Sequence, residues 1–223
     1  MEELLNSPLE IRGVLTAPQL DGAPRGMQLR EAITRSGIDN TSVSEQEFRS
    51  AAETESPQGV LAIGAIPDRK LESLAGRDSL RILVLDAVQD PGNVGTLVRT
   101  AAALGVDATV ALPGTVDLWN AKVIRGAMGA MYHHHALHSP VEDLLAFMEA
   151  EKIELWGGDA SGKPVSELRA PAKMALAVGN EGAGLSSSLR ERVTQTVSLP
   201  ISASVESLNV AVAAGILLYQ LRK

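Results

Sequence analysis

LAVGNEGAGLS, residues 176–186, runs from an unbroken apolar segment into three glycines, an amide and one carboxylate. An apolar run without alternation reads as a strand covered on both faces. Glycines at its end let a ligand approach the main chain and leave amides open to bond it. By itself a short glycine cluster reads first as a plain turn. Its place matters more, because ligands of open α/β sheets gather at the carboxyl ends of strands.

The same rhythm extends on both sides. RILVLDAV (81–88) reads as a strand, TLVRTAAALG (96–105) as a helix ending at Gly105, and DATVAL (107–112) as a strand. LWNAKVIRGAMGAM (118–131) reads as one helix, HHHAL (133–137) as a strand and VEDLLAFMEAEK (141–152) as a helix. Strands follow at IELWGGD (153–159), KMALAVG (173–179) and QTVSLP (195–200), with a short helix at SSLRERV (187–193). The chain closes on a helix, SLNVAVAAGILLYQLR (207–222). Near-continuous apolar strands alternating with helices imply an α/β fold with a mostly parallel sheet.

The earlier residues form a smaller α/β group. EIRGVLTA (10–17) and GVLAIGAI (59–66) read as strands, the second buried, and GMQLREAITRSG (26–37) as a helix stopped at Gly37. Ser44 and Glu47 have capping-box spacing before another helix. PDRKLESLAGRDSL (67–80) is polar, with Pro67 and Gly76, and reads as a linker or bridging helix. The expected division is 1–68, a linker at 69–80, and 81–223.

The 223 residues, 45% of them hydrophobic, can bury a core without staples, and the absence of cysteine excludes disulfides and thiolate metal sites. The acidic start lacks the blocks of a signal peptide, and the longest apolar stretch, NVAVAAGILLY (209–219), is about half of a bilayer span. The expectation is a soluble, cytoplasmic protein with no membrane partner. A net charge of −7 argues against indiscriminate nucleic-acid binding, though a local basic groove is compatible with it. Aromatic residues at 3% exclude ring stacking as the main recognition device.

Three strand ends stand out. In DPGNVGTLVR (90–99), Val94, Leu97 and Val98 share a helix face and Arg99 falls off it, near the positive end of the helix dipole. That placement suits an arriving phosphate, or a surface pair with an Asp. The second end is GNEGAG (179–184). In the third, SLPISASVESLN (198–209), Ser207 or Asn209 can cap the last helix, and the polar loop before it can wall a pocket. Neither G-x-G-x-x-G nor a P-loop is present, so nicotinamide and NTPase readings lose support.

In this order the three segments resemble the SpoU (TrmH-like) branch of the SPOUT RNA methyltransferases. N-x-G-x-x-x-R falls on Asn93, Gly95 and Arg99; G-x-E-x-x-G falls on Gly179, Glu181 and Gly184; and Pro with S-L-N falls on Pro200, Ser207, Leu208 and Asn209. RGAMGAM (125–131) is similar to the family's small-residue segment, and the resemblance covers about residues 80–223. It implies a C-terminal deep trefoil knot holding S-adenosylmethionine (SAM) through main-chain groups, and methyl transfer to a ribose 2′-hydroxyl of RNA. The cofactor contacts it implies are Gly179, Leu199 and Leu208, with Asn180, Gly184 and Pro200 beside them. Arg99, Asn93, Glu181, Ser207 and Asn209 are the implied catalytic set. A guanidinium stays protonated, so Arg99 is better read as a clamp on the phosphate beside the target ribose than as a base.

The first 68 residues are similar to the family's L30e-like RNA-binding domain without its opening strand, which leans toward ribosomal over transfer RNA. Ala203 stands where many relatives have glycine. The competing readings are a transfer-RNA enzyme and an RNA-binding member without catalysis. The apolar last helix suits a knot core plus a homodimer interface. His133, His134, His135 and His138 invite a metal reading, but only His133 and His135 share a strand face and no carboxylate has ligand spacing, so no metal is expected. Lys122, Arg125, Arg190 and Arg192 read either as phosphate contacts or as solvated surface charge.

Overall fold

The computed structural model describes residues 1–52, 54–202 and 204–222, which leaves the expectation about Ala203 outside the described residues. The chain divides into two compact units, Met1–Asp68 and Arg69–Lys223.

In the first unit, α1 (Glu2–Leu5), β1 (Ile11–Thr16), α2 (Pro24–Ser36), β2 (Asn40–Ser42), α3 (Glu45–Ala51) and β3 (Val60–Gly64) follow in order. β1 is central, parallel to β2 and antiparallel to β3. α2 starts on Pro24, whose missing N–H costs nothing at a first turn, and ends at Gly37 in the left-handed region. The capping box at α3 is formed: Glu47 N–H donates to Ser44 Oγ, and Ser44 N–H donates to Glu47 Oε2 at 2.8 Å. Val14, Leu20, Leu29 and Ile33 make the core. β3 is half-buried to exposed, not buried as its composition suggested, because it lies at the edge of a three-stranded sheet.

The second unit contains β4 (Leu80–Leu85), α4 (Pro91–Ala103), β5 (Ala108–Ala111), α5 (Ala121–Gly126), α6 (Ala130–His133) and β6 (His135–His138). It continues through α7 (Val141–Glu151), β7 (Glu154–Pro164), β8 (Lys173–Val178), α8 (Ser187–Arg190), β9 (Gln195–Ser198) and α9 (Val210–Leu221). The six strands form one sheet in the order β6-β5-β4-β8-β7-β9, parallel throughout. Apolar side chains cover both its faces, as the unbroken runs required. Residues 69–80, expected to link the units, pack within the second through the buried Leu71 and Leu74 of a 3₁₀ turn.

α4 forms against its own propensity. Gly92 and Gly95 cost about 1 kcal/mol each relative to alanine. Burial of Val94, Leu97 and Val98 offsets this, at roughly 1.5–3 kcal/mol per side chain. Gly95 is where α5 closes in: a Cβ there would lie 2.6 Å from the Val123 carbonyl oxygen. Residues 118–131, read as one helix, are two, α5 and α6. The break falls at Met128 and Gly129, both with positive φ, and Gly129 precedes α6.

β7 runs past its expected end at Asp159 to Pro164 and meets β9 twice, on either side of a register shift between Gly158 and Lys163. α9 buries Ala211, Ala214, Leu217, Leu218 and Leu221, whereas Val212, Ile216 and Tyr219 stay 51%, 41% and 47% exposed. Among the described residues, no helix is long and apolar enough to cross a membrane.

Three of the histidines are bonded to the protein's own groups. His134 is buried against Thr109, Nε2 to Oγ1 at 2.8 Å, while His138 Nε2 accepts the Leu118 amide at 3.1 Å. His135 Nε2 lies 3.1 Å from the Lys70 carbonyl. Burial, with Arg69 adding to it, pushes the His134 pKa down to about 4. The unfolded chain therefore binds the extra proton more readily, and this contribution to stability is full above pH 6.5 and lost as pH falls toward 4. The loss is on the order of 3 kcal/mol. Denaturant titrations at pH 7 and pH 4.5 are expected to show His134→Gln losing less stability over that interval than the parent; equal losses contradict this.

Candidate functional site

The middle of β7 at its register shift, the carboxyl ends of β8 and β9 and the N-terminus of α9 surround a cavity of about 570 Å³. Its wall includes Gly158, Asp159, Val178, residues 179–184, Arg190, Leu199, Ile201, residues 206–210 and Leu217. This volume is in the range of small-molecule sites, roughly 300–1,000 Å³.

The loop after β8 is tightly folded. The Asn180 and Gly184 backbones exchange hydrogen bonds at 3.0 and 2.9 Å, and Asn180 Oδ1 accepts the amides of Gly182 and Ala183. Gly184 has φ +69°, which favours glycine. A Cβ on Gly179 would lie 2.2 Å from the Gly184 carbonyl carbon, so only glycine fits there. The cluster at 179–184 is thus a compact cavity-facing wall, with most of its own amides already bonded. Among the described residues, the amides of Gly179, Leu199 and Leu208 donate to no protein acceptor. All three residues line the cavity.

Three distant segments meet at the cavity mouth. Asn209 Nδ2 donates to Asn93 Oδ1 at 2.9 Å, and Asn93 Nδ2 donates to Glu181 Oε1 at 2.8 Å. Each asparagine is fixed from behind. Asp90, the N-cap of α4, accepts the Asn93 amide at 2.7 Å. Asn209 caps α9 by accepting the amides of Ala211 and Val212. Glu181 is exposed at the end of this chain of amides.

The other expected residues divide. Ser207, Leu208, Leu199, Asn180 and Gly184 line the cavity; Pro200 does not, although its neighbours Leu199 and Ile201 do. Arg99 stands apart from the wall. It lies six residues beyond Asn93, about 9 Å along α4 and about 120° round it. It is exposed and, among the described residues, its side chain makes no hydrogen bond or ion pair.

Several wall residues escaped the sequence reading. Asp159 sits in the extension of β7, where Ser161 donates both hydroxyl and amide to its carboxylate. Those bonds hold its carboxyl below the usual range, and Arg190 adds to the effect. With Glu181 and Glu206, Asp159 makes three carboxylates on a wall that carries one guanidinium, that of Arg190. The balance favours a cationic ligand group. Motif spacing carried no sign of Asp159 or Glu206.

The SpoU rRNA Methylase family matches residues 80–219. The chain is 36% identical over 223 residues, all of it and 85% of the relative, to the 23S rRNA (guanosine(2553)-2′-O)-methyltransferase RlmP of Bacillus subtilis. It is 32% identical over 207 residues to the 23S rRNA (guanosine-2′-O-)-methyltransferase RlmB of Haemophilus ducreyi, covering 86% of this chain and 82% of that one. Among solved structures, the SpoU methyltransferase AviRb from Streptomyces viridochromogenes, in complex with AdoMet, superposes with a TM-score of 0.88 at 26% identity. The match covers 98% of this chain and 84% of AviRb.

The crowding at Gly179 has a direct consequence. In Gly179→Ala, the added methyl is expected to push residue 184 away and open the loop. Amide exchange at Gly182, Ala183 and Gly184 should rise about tenfold or more, the loss of roughly 1.4 kcal/mol of local stability, while β4 and β5 keep their protection. Unchanged loop exchange contradicts the packing described.

Proposed function

The chain belongs to the SpoU rRNA methylase family, and from that membership we propose that it transfers the methyl group of SAM to a ribose 2′-hydroxyl of ribosomal RNA. The observation that carries this reading is the joining of Asn93, Glu181 and Asn209, one from each motif, at the mouth of a cavity whose Gly179, Leu199 and Leu208 amides donate to no acceptor among the described residues. The fit to SAM rests on that cavity. The amides of Gly179, Leu199 and Leu208 suit the polar edges of a nucleoside, and Val178, Leu199 and Leu217 suit its faces. The excess of carboxylates suits a sulfonium and an ammonium.

When bound, SAM supplies an electrophilic methyl group. The protein's residues bind, orient and hold charge. Asn93 and Asn209 fix Glu181 beside the cavity, and Ser207 lies on the same rim to orient the ribose. Arg99, exposed and without a partner among the described residues, clamps the phosphate next to the target sugar. Its guanidinium keeps its proton, so the hydroxyl proton passes to that phosphate or through a water.

The chain also threads as the family's trefoil knot in this reading. The edge position of β9 and the packing of α9 on α4 support that path. Met1–Asp68 serves as the RNA-selecting unit, and its small α/β sheet is compatible with the L30e-like resemblance. The protein acts as a homodimer. Val212, Ile216 and Tyr219 of α9 and Thr96 and Thr100 of α4 form an apolar groove of about 390 Å³ that a second copy would cover. Arg99 lies one turn from Thr96, so a dimer built there brings Arg99 close to the joint.

Arg99→Ala is expected to lower methyl transfer by about 100-fold while leaving SAM affinity within about threefold, measured by labelled-methyl transfer and calorimetry. Full activity, or lost SAM binding, contradicts the phosphate role. Ile216→Glu is expected to convert a dimer to monomers in sedimentation; an unchanged sedimentation coefficient contradicts the interface.

A further inference from the structure

Asp86 directly follows β4 and is 3% exposed, the one buried carboxylate among the described residues. It forms no ion pair among them. A buried carboxylate is costly unless hydrogen bonds compensate it. Here the compensation comes from the far side of the cavity loop: Ser186 N–H donates to Asp86 Oδ2 at 2.6 Å. Next to it, Asn180 Nδ2 donates to the Ala87 carbonyl at 3.2 Å, and Asp86 N–H donates to Val178 O at 2.9 Å. Residues 86 and 87 therefore hold the loop at its entry, through Val178 and Asn180, and at its exit, through Ser186. Ala87 adopts φ +57°, unusual for a residue with a side chain, so the backbone holds this geometry against its own preference. Glu181 and the Gly179 amide lie between the two attachments.

We propose that Asp86 is a positioning residue for SAM binding: its carboxyl oxygen, by accepting the Ser186 amide, fixes the exit of the loop after β8 and so sets where Gly179 and Glu181 face the cavity. Its side chain lines no part of the cavity and acts through the Ser186 amide. This rests on the methyltransferase reading above. Sequence alone concealed it, because Asp86 reads as one residue within the apolar strand 81–88.

The test uses the full chain and four proteins: the parent, Asp86→Ala, Asp86→Asn and Ser186→Pro. Asparagine keeps an acceptor for the Ser186 amide, whereas Ser186→Pro removes the donor at a residue whose φ of −60° proline can adopt. SAM affinity by calorimetry, kcat with RNA, KM for RNA and amide exchange over residues 180–186 are read for each. Asp86→Ala is expected to weaken SAM binding by about tenfold or more and to raise loop exchange, with KM for RNA unchanged. Asp86→Asn should recover most of the affinity, and Ser186→Pro should reproduce the loss. A folded Asp86→Ala with parental affinity and kcat overturns the proposal, as does a lowered melting temperature with no change in either. If Asp86→Ala does not fold, Asp86→Asn and Ser186→Pro decide, and parental affinity in Ser186→Pro overturns the proposal. A parent that binds no SAM defeats the methyltransferase reading instead. The exchange measurement still judges the attachment in that case, and unchanged exchange in Asp86→Ala refutes it.

Discussion

The Asn93 side chain is hydrogen-bonded at both ends, and the site depends on that double engagement. Its carbonyl accepts from Asn209 and its amide donates to Glu181, which joins residues separated by 116 and 88 positions in the chain. Asparagine suits this place because one planar group offers a donor and an acceptor on opposite sides. An aspartate could not donate to Glu181 and would place two carboxylates in contact. The backbone of Asn93 is held too, by the cap at Asp90, so the side chain emerges from a fixed first turn of α4. The three-way junction is thus a product of helix capping at α4 and α9 as much as of the loop between them.

Close backbone approach is the second constraint. Gly95 lets α5 come against α4, and Gly179 lets the loop fold back on residue 184. Neither position tolerates a methyl group without movement of backbone atoms. Gly162 plays the same part at the far edge, where a Cβ would lie 2.7 Å from the Val197 amide nitrogen and where Ser198 Oγ donates to the Gly162 carbonyl at 2.7 Å. Glycine here allows a crowded set of strand ends to close around one cavity. The cost in helix propensity at α4 is offset by buried valine and leucine on its inner face.

Periodicity and motif spacing made much of this legible. The unbroken apolar runs placed the parallel strands, and the resemblance carried by the three motifs assigned Asn93, Glu181 and Asn209 to one site. Other features were not legible, for physical reasons. The break between α5 and α6 depends on positive φ at Met128, a residue whose type carries no turn signal. Polar spacing suggested a linker over residues 69–80, but only tertiary packing shows Leu71 and Leu74 buried. Asp86, Asp159 and Arg190 have roles set by what lies opposite them in space, and no local pattern encodes that. Arg99 is the reverse case: its motif position was plain, yet it lies outside the cavity wall and awaits a partner from solution.

The most direct test of the account is transfer of tritium from methyl-labelled SAM to ribosomal RNA, followed by alkaline digestion. Alkali cuts RNA through the free 2′-hydroxyl, so a methylated ribose leaves an uncut dinucleotide. Label is expected in alkali-resistant dinucleotides. Label confined to mononucleotides, or no transfer by folded protein, would contradict it.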